Sequence, residues 1–435
     1  MQIQVRINEE GALRNQRYAF TNRFTLVSEL LQNARRAAAT CIEIQYDAAT
    51  QALSVQDDGC GLEDFQKLLS FHESGWDAAT AAEERPFGVG FSKCLYAATR
   101  CVVTSGGHRV DIDTEAALAR ALITVEQVPE CKAINGTRVE LHGVDLPDLG
   151  TRVEELCLGF PVAVLFNGQP LKRPLAEGHL ATQASPIGAV HLAGTLDGKY
   201  THETMVFLQG FCVLKPTYCL RGELNVVHLD SRQFMARLPD RDKLIDEDVQ
   251  RKRIDAELKA CWRNTLEIAR TRLSPERFVE TYYAVMRGWG QLDLLNDLDV
   301  LPAELCDAIV GYPIQDDHGS RAFVQPLAAA PTRSEIESGA VRLVALDCVG
   351  DDNGARWMLA RSKGYLVFDW IGLHHDHWAQ RHVRFFEEER VHVEAVEEQV
   401  RTALEGRWDW PDVILCEAAR IRVGKDDAVI VDEGV

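Results

Sequence analysis

The chain has 435 residues, 46% of them hydrophobic, and a formal charge of −19 at pH 7. That length suggests about three domains with substantial cores, and so acidic a surface disfavours non-specific adhesion to nucleic acid or anionic lipid without excluding a local basic patch. No run approaches a membrane span, Met1–Arg6 reads as a strand rather than a leader, and the 12 cysteines lack any Cys-x-x-Cys pairing, which fits reduced thiols in a cytoplasmic protein rather than a disulfide framework or a zinc site.

The first element is a short strand, Gln2–Ile7, with apolar Ile3, Val5 and Ile7. From Phe24 to Ala39, Phe24, Val27, Leu30, Leu31, Ala34 and Ala38 recur at helical spacing. Glu29 and Asn33 are four apart and share a face. A carboxylate beside a carboxamide suits water activation next to a metal: Glu29 can accept the proton, and Asn33 can offer an oxygen to a hard cation such as magnesium. An ordinary amphipathic helix with exposed Glu and Asn is the plain alternative. Ile42, Ile44 and Tyr46 alternate as a strand, and Ala52, Leu53 and Val55 lead into Asp57-Asp58-Gly59-Cys60-Gly61. Asp-Asp-Gly is a turn signal, and a carboxylate there can accept from an exocyclic amine such as that of adenine. Arg85–Ser92 then places Gly88 and Gly90 ahead of a helix-like run, Phe91 to Ala98. Glycines at a helix start expose amide N–H groups to phosphate, although a flexible loop reads the same way. Asn135-Gly136-Thr137-Arg138-Val139 closes the set, and its glycosylation pattern is inert without a secretory segment.

Together these four segments resemble the GHKL superfamily of ATPases, which includes gyrase, sensor histidine kinases, MutL and the ninety-kilodalton heat-shock chaperones. The last are most similar, through Phe87-Gly88-Val89-Gly90-Phe91 and Gly136-Thr137-Arg138-Val139. The resemblance, firm over about 1–145 and looser to about 272, implies an N-terminal Bergerat-type ATPase sandwich (1–147) and a mixed α/β transducer-like domain (151–272); the residues beyond it read as a helical connector (273–320) and a small C-terminal α/β domain of unknown role (321–435), an α+β protein in all. It implies ATP and Mg2+ as ligands. Glu29 is then the general base and Asn33 the magnesium ligand. Asp57 contacts the adenine amine with Thr137, Gly61 lies near the base, and Gly88, Val89, Gly90 and Phe91 hold the phosphates. Residues 62–86 correspond to a mobile lid. Arg36 departs from the pattern, because the family commonly carries an acid three residues beyond the magnesium Asn; a slow or regulated turnover follows.

After the linker at 147–150, Val162–Phe166, Ala189–Leu192 and Met205–Leu208 read as strands. Leu238–Leu244 precedes a long helix, about 245–272. The resemblance places in such a loop a cation that reaches the terminal phosphate: Arg241, with Lys243 as the alternative. Arg251, Lys252, Arg253, Arg263 and Arg270 form either a basic patch or a solvated helix face. Residues 275–320 read as helical. Farther on, 341–347, 364–370 and 412–416 read as strands and 391–404 as a helix. His374-His375-Asp376-His377 offers metal-type ligands, but neighbours in sequence converge poorly on one ion, so a polar interface loop is preferred. The implied work is closure of lid and domains, with homodimerisation, on an unidentified client protein and without a membrane. A MutL- or MORC-like DNA clamp and a non-hydrolysing ATP sensor are the alternatives; a histidine kinase lacks a phosphoacceptor helix upstream of the pocket.

Overall fold

A computed structural model describes residues 3–4, 8–16, 22–71, 73, 75–76, 80, 90–216, 223–237, 241–311, 323–346, 353–396, 398–402 and 413–431. Most of the expected first strand, Gln2–Ile7, lies outside these residues, as does much of the second half of the expected lid; the first described element is α1 (Glu9–Gln16). The chain divides into two compact units, one of residues 1–194 and 201–261 and the other of residues 195–200 and 262–435.

In the first unit, helices cover one face of a large sheet. α2 (Thr25–Arg36) buries Leu26, Val27, Leu30, Leu31 and Ala34, the stripe its spacing dictates. Its C-terminal turn carries Arg35 and Arg36, which suit the negative end of the helix dipole. Beneath it, β1 (Cys41–Asp47) and β2 (Ala52–Asp57) alternate, Ile42, Ile44, Leu53 and Val55 facing the helices while Glu43 and Gln45 face away. α3 (Ser92–Ala97), β3 (Arg100–Gly106), β4 (His108–Asp113), α4 (Thr114–Leu118), β5 (Val125–Gln127) and β6 (Ile134–His142) follow.

The sheet does not end at the expected linker. Residues 147–150 enter α5 (Leu149–Cys157), a crossover that returns β7 (Ala163–Phe166) parallel to β1, with β8 (Gln169–Pro170) beyond it. The final order is β5-β4-β3-β6-β2-β1-β7-β8. Val162 and Val164 join the same core as Ile42 and Ile44, which is why the chain stays in this sheet past residue 150.

A second, five-stranded sheet follows: β9 (Gln183–Ser185), β10 (Gly188–His191), β11 (Thr204–Leu208), β12 (Phe211–Leu214) and β13 (Asn225–Leu229), ordered β12-β11-β13-β10-β9. It locks onto the first layer through β11 and β12. Phe211 belongs to the first core, its ring 5.3 Å from that of Phe160, and a Cβ on Gly159 would lie 2.4 Å from the Phe207 ring. α6 (Glu247–Arg272) runs on from this unit into the next. Its arginines do not form an open basic stripe: Arg251 pairs with Glu247, Arg263 with Glu267 and Asp293, and Arg270 with Asp297, while Arg253 lies over the Phe234 ring.

The second unit is α/β. α7 (Pro275–Gly288) is capped by Ser274, whose hydroxyl accepts from the Arg277 amide. The expected helical run to 320 stops there. Short 3-10 turns follow, and then β14 (Cys306–Ile309), which pairs with both β15 (Val324–Pro326) and β17 (Leu366–Phe368). Pro302 breaks the helical pattern, and a central strand needs only this short apolar run. α8 (Arg333–Glu337), β16 (Leu343–Ala345), α9 (Gly354–Ser362) and β18 (Val383–Phe385) complete that layer. The helix expected at 391–404 is instead β19 (Val391–Ala395) and β20 (Glu398–Thr402), because Val391 and Val393 alternate with polar residues at period two. β19 pairs with β22 (Ala418–Val423), itself paired with β23 (Asp426–Val431), and β20 with β21 (Val413–Cys416). Arg384 ties the layers together, reaching Glu389 at 2.5 Å and also Asp426. No helix among the described residues is long and apolar enough to cross a membrane, and every described cysteine is free.

Candidate active site

α2 carries the centre of the site. Glu29, 6% exposed, points between two distant backbones. On one side lies Gly90, where a Cβ would come within 2.3 Å of Glu29 Oε2, so any larger residue would displace the Glu29 carboxylate. On the other lies the Arg241 guanidinium, its Nε 3.3 Å from Glu29 Oε1. A buried carboxylate needs such a partner. The contact is an ion pair without hydrogen-bond geometry, and the buried Arg241 Nε–H has no acceptor among the described residues. The Arg241 loop is pinned by a bridge between Ala236 and Leu244 and by the Arg237 amide donating to the Lys243 carbonyl. Of the two candidate cations, the structure brings Arg241 to Glu29. Both Arg241 and Lys243 line a cavity of about 660 Å3 shared with Glu29, Gln32 and Lys215, but Lys243 makes no ion pair among the described residues.

Asn33 is half-buried one turn beyond Glu29. At the C-terminal end of α2 the turn after β2 is fastened by the Cys60 amide donating to the Ala37 carbonyl. The two aspartates there divide their work. Asp58 accepts from Thr40 and the Cys41 amide, which hold its carboxyl below the usual range. Asp57 accepts from the Gly59 amide at 2.9 Å, and burial pushes its carboxyl up against the pull of the Gly59 and Thr137 amides. Glu29 lies eight residues before Ala37, about 12 Å of rise at 1.5 Å per residue, so the turn that carries Asp57 is fastened at the end of α2 beyond Asn33.

A residue absent from the sequence reading organises the Asp57 end. Ser105, 2% exposed, accepts from the Leu62 amide and donates to the Gly136 carbonyl, with Thr137 Oγ1 3.2 Å away. It thereby joins Gly61, Gly136 and Thr137, and its place in an apolar strand gives no sequence signal. Gly136 has φ of +76°, and a Cβ there would lie 2.1 Å from the Asp57 carbonyl oxygen. Gly136→Ala is expected to cost about 2–4 kcal/mol from left-handed strain and overpacking, read by urea unfolding; an unchanged midpoint would refute the close approach. Phe91 is half-buried at the start of α3. Gly88 and Val89 lie outside the described residues. Beneath the site the buried Cys94 thiol is pushed up to about 12, which makes it inert.

Away from this site, His374, His375 and Asp376 gather with ligand atoms within 4.8 Å of one another. His377 turns inward, accepting from the Ala379 amide and lowered to about 4 by burial and then by Arg333, so the four-residue run does not act as one set.

Residues 21–150 match the family model of histidine kinase-, DNA gyrase B-, and HSP90-like ATPases. The matched stretch holds Glu29, Asn33, Asp57, Gly61, Gly88–Phe91, Ser105 and Thr137 but not Lys215, Arg241 or Lys243. No curated protein matches the chain. Among solved structures, the ATPase and transducer domains of DNA topoisomerase II from Balamuthia mandrillaris are similar at 17% identity and a TM-score of 0.33, covering 43% of this chain and 59% of that one.

Proposed function

We propose that the first unit binds ATP with Mg2+ and hydrolyses it to ADP and phosphate. The observation that supports this most is the buried Glu29 held between the Gly90 backbone and Arg241, with the turn that carries Asp57 fastened to the far end of the same helix by the Cys60 amide on the Ala37 carbonyl. Asp57 accepts the adenine amine, and Ser105 holds Gly61 and Thr137 beside it. Gly88, Val89, Gly90 and Phe91 cradle the phosphates. Asn33 supplies an oxygen to the magnesium ion, which neutralises phosphate charge. Water attacks the γ-phosphorus, Glu29 takes its proton, and the ADP oxygen leaves with the bond electrons. The unsatisfied Arg241 Nε–H fits a γ-phosphate oxygen and the charge that grows on it; Lys243 is the second cation within the same loop.

Turnover is slow, because Arg241 must exchange Glu29 for phosphate, and Arg36 stands where the family places an acid. The work is a domain and dimer rearrangement on a protein partner, a reading supported by the likeness of the glycine loop and the Gly136–Val139 strand to the heat-shock chaperones. The test is hydrolysis by the purified full chain with and without EDTA. Magnesium-dependent phosphate release is expected; tight ATP binding without it would instead make the protein a nucleotide sensor. Stimulation by duplex DNA would replace the protein-client reading with a MutL- or MORC-like clamp.

A further inference from the structure

The second sheet meets the catalytic carboxylate through a residue that has no place in the roles above. β11 and β12 turn at Gln209 and Gly210, whose φ values are 55° and 87°. This is the left-handed pair of a two-residue hairpin, where Asn-Gly is favoured and a long side chain is not. The tip cannot drift. A Cβ on Gly210 would lie 2.6 Å from Pro161 Cδ, and Phe211 is anchored in the first core.

From this fixed tip the Gln209 side-chain oxygen meets two partners. One contact is with the Gln32 side-chain amide at 2.5 Å, and the other is a hydrogen bond from Arg241 Nη1 at 3.3 Å. Gln32 is 1% exposed and lies one turn from Glu29 on α2, its amide beside the Arg35 guanidinium. A guanidinium facing a lone buried carboxylate favours a bidentate clamp with two parallel hydrogen bonds. Arg241 does not take it. Its Nη1 donates to Gln209, and its nearest approach to Glu29 is Nε at 3.3 Å, an ion pair without hydrogen-bond geometry.

We infer that Gln209 is a positioning residue that keeps Arg241 from clamping Glu29, leaving the carboxylate able to take a proton and the Arg241 Nε–H turned toward phosphate. The inference rests on the ATPase reading. It adds that the rate of the chemical step is set from the β11–β12 hairpin, by a group that touches no nucleotide.

Gln209→Gly suits the left-handed backbone while removing the amide, so turn and side chain are tested apart. Steady-state ATP hydrolysis, ATP affinity and thermal melting are measured for the wild type, Gln209→Gly, Gln209→Asn, Arg241→Ala and the Gln209→Gly/Arg241→Ala double variant. The expected result is a fall of about tenfold in kcat for Gln209→Gly, with KM within about twofold and no lower melting temperature. Gln209→Asn keeps the turn but is one methylene short, and it should match Gln209→Gly. Adding Gln209→Gly to Arg241→Ala should cause no further loss, since the two act as one unit. Wild-type kcat in Gln209→Gly, a loss that tracks a lowered melting temperature, or additive losses in the double variant would each overturn the inference while leaving the ATPase reading intact. A wild type without magnesium-dependent turnover overturns both.

Discussion

Glu29→Gln is expected to lower kcat by about 10²–10⁴-fold, the range for loss of a general base, while ATP still binds. Glutamine keeps the shape of a side chain that is packed between Gly90 and Arg241 and only 6% exposed. It also offers an oxygen toward Arg241, but it cannot take a proton from water. Glu29→Ala is the harsher change, because it strands the Arg241 guanidinium, itself 16% exposed, without its counter-charge; loss of one partner from a buried pair costs about 3–5 kcal/mol. The pair of variants therefore separates chemistry from folding. Phosphate release and fluorescent-nucleotide binding should part company in Glu29→Gln, and melting should fall only in Glu29→Ala. Undiminished hydrolysis by Glu29→Gln would remove Glu29 from the mechanism.

Asp57→Asn is expected to weaken ATP binding by about 10–150-fold, the worth of a charge-assisted hydrogen bond of about 1.5–3 kcal/mol, without harming the free protein. The reason lies in how Asp57 is held. Burial raises its carboxyl above the ordinary 3.8, so the folded chain favours the protonated form. The contribution to stability is present in full below that ordinary value and is lost as pH rises through the folded one. At neutral pH the unliganded protein thus carries a buried charge that the Gly59 and Thr137 amides offset only in part. Asparagine removes the charge. Urea unfolding should show Asp57→Asn gaining on the wild type as pH is raised from about 4 toward 7. A constant gap would contradict the buried-charge account, and unchanged ATP affinity would displace Asp57 from the adenine end.

Much of the first unit is written in local pattern. The α2 stripe, the alternation of β1 and β2 and the glycines ahead of α3 are each set by residues adjacent in sequence. The choice of Asp57 over Asp58 rests on resemblance alone, and its physical reason appears only when Thr40 is seen to occupy Asp58. Other features depend on meetings no local pattern encodes. Gln32 and Gln209 are 177 positions apart, and Ser105 is 43 from Leu62. The 391–404 segment illustrates composition misleading periodicity. Its Glu- and Ala-rich makeup favours helix, but the β22 edge rewards the alternation of Val391 and Val393, pairing them with Val423 and Ile421.

The parallel pairing of β7 with β1 has a practical corollary. A fragment cut at residue 150, where the family match stops, would strip β1 of its neighbour from Cys41 to Ile44 and bare a row of unpaired amides and carbonyls beside an apolar core. Such edges recruit other chains and precipitate. The smallest piece that stays in solution must keep Pro170 and, to hold Arg241 beside Glu29, the second sheet as well. The two needs set two boundaries, one past Pro170 and one past Arg241, and both lie beyond the segment that carries the recognisable motifs.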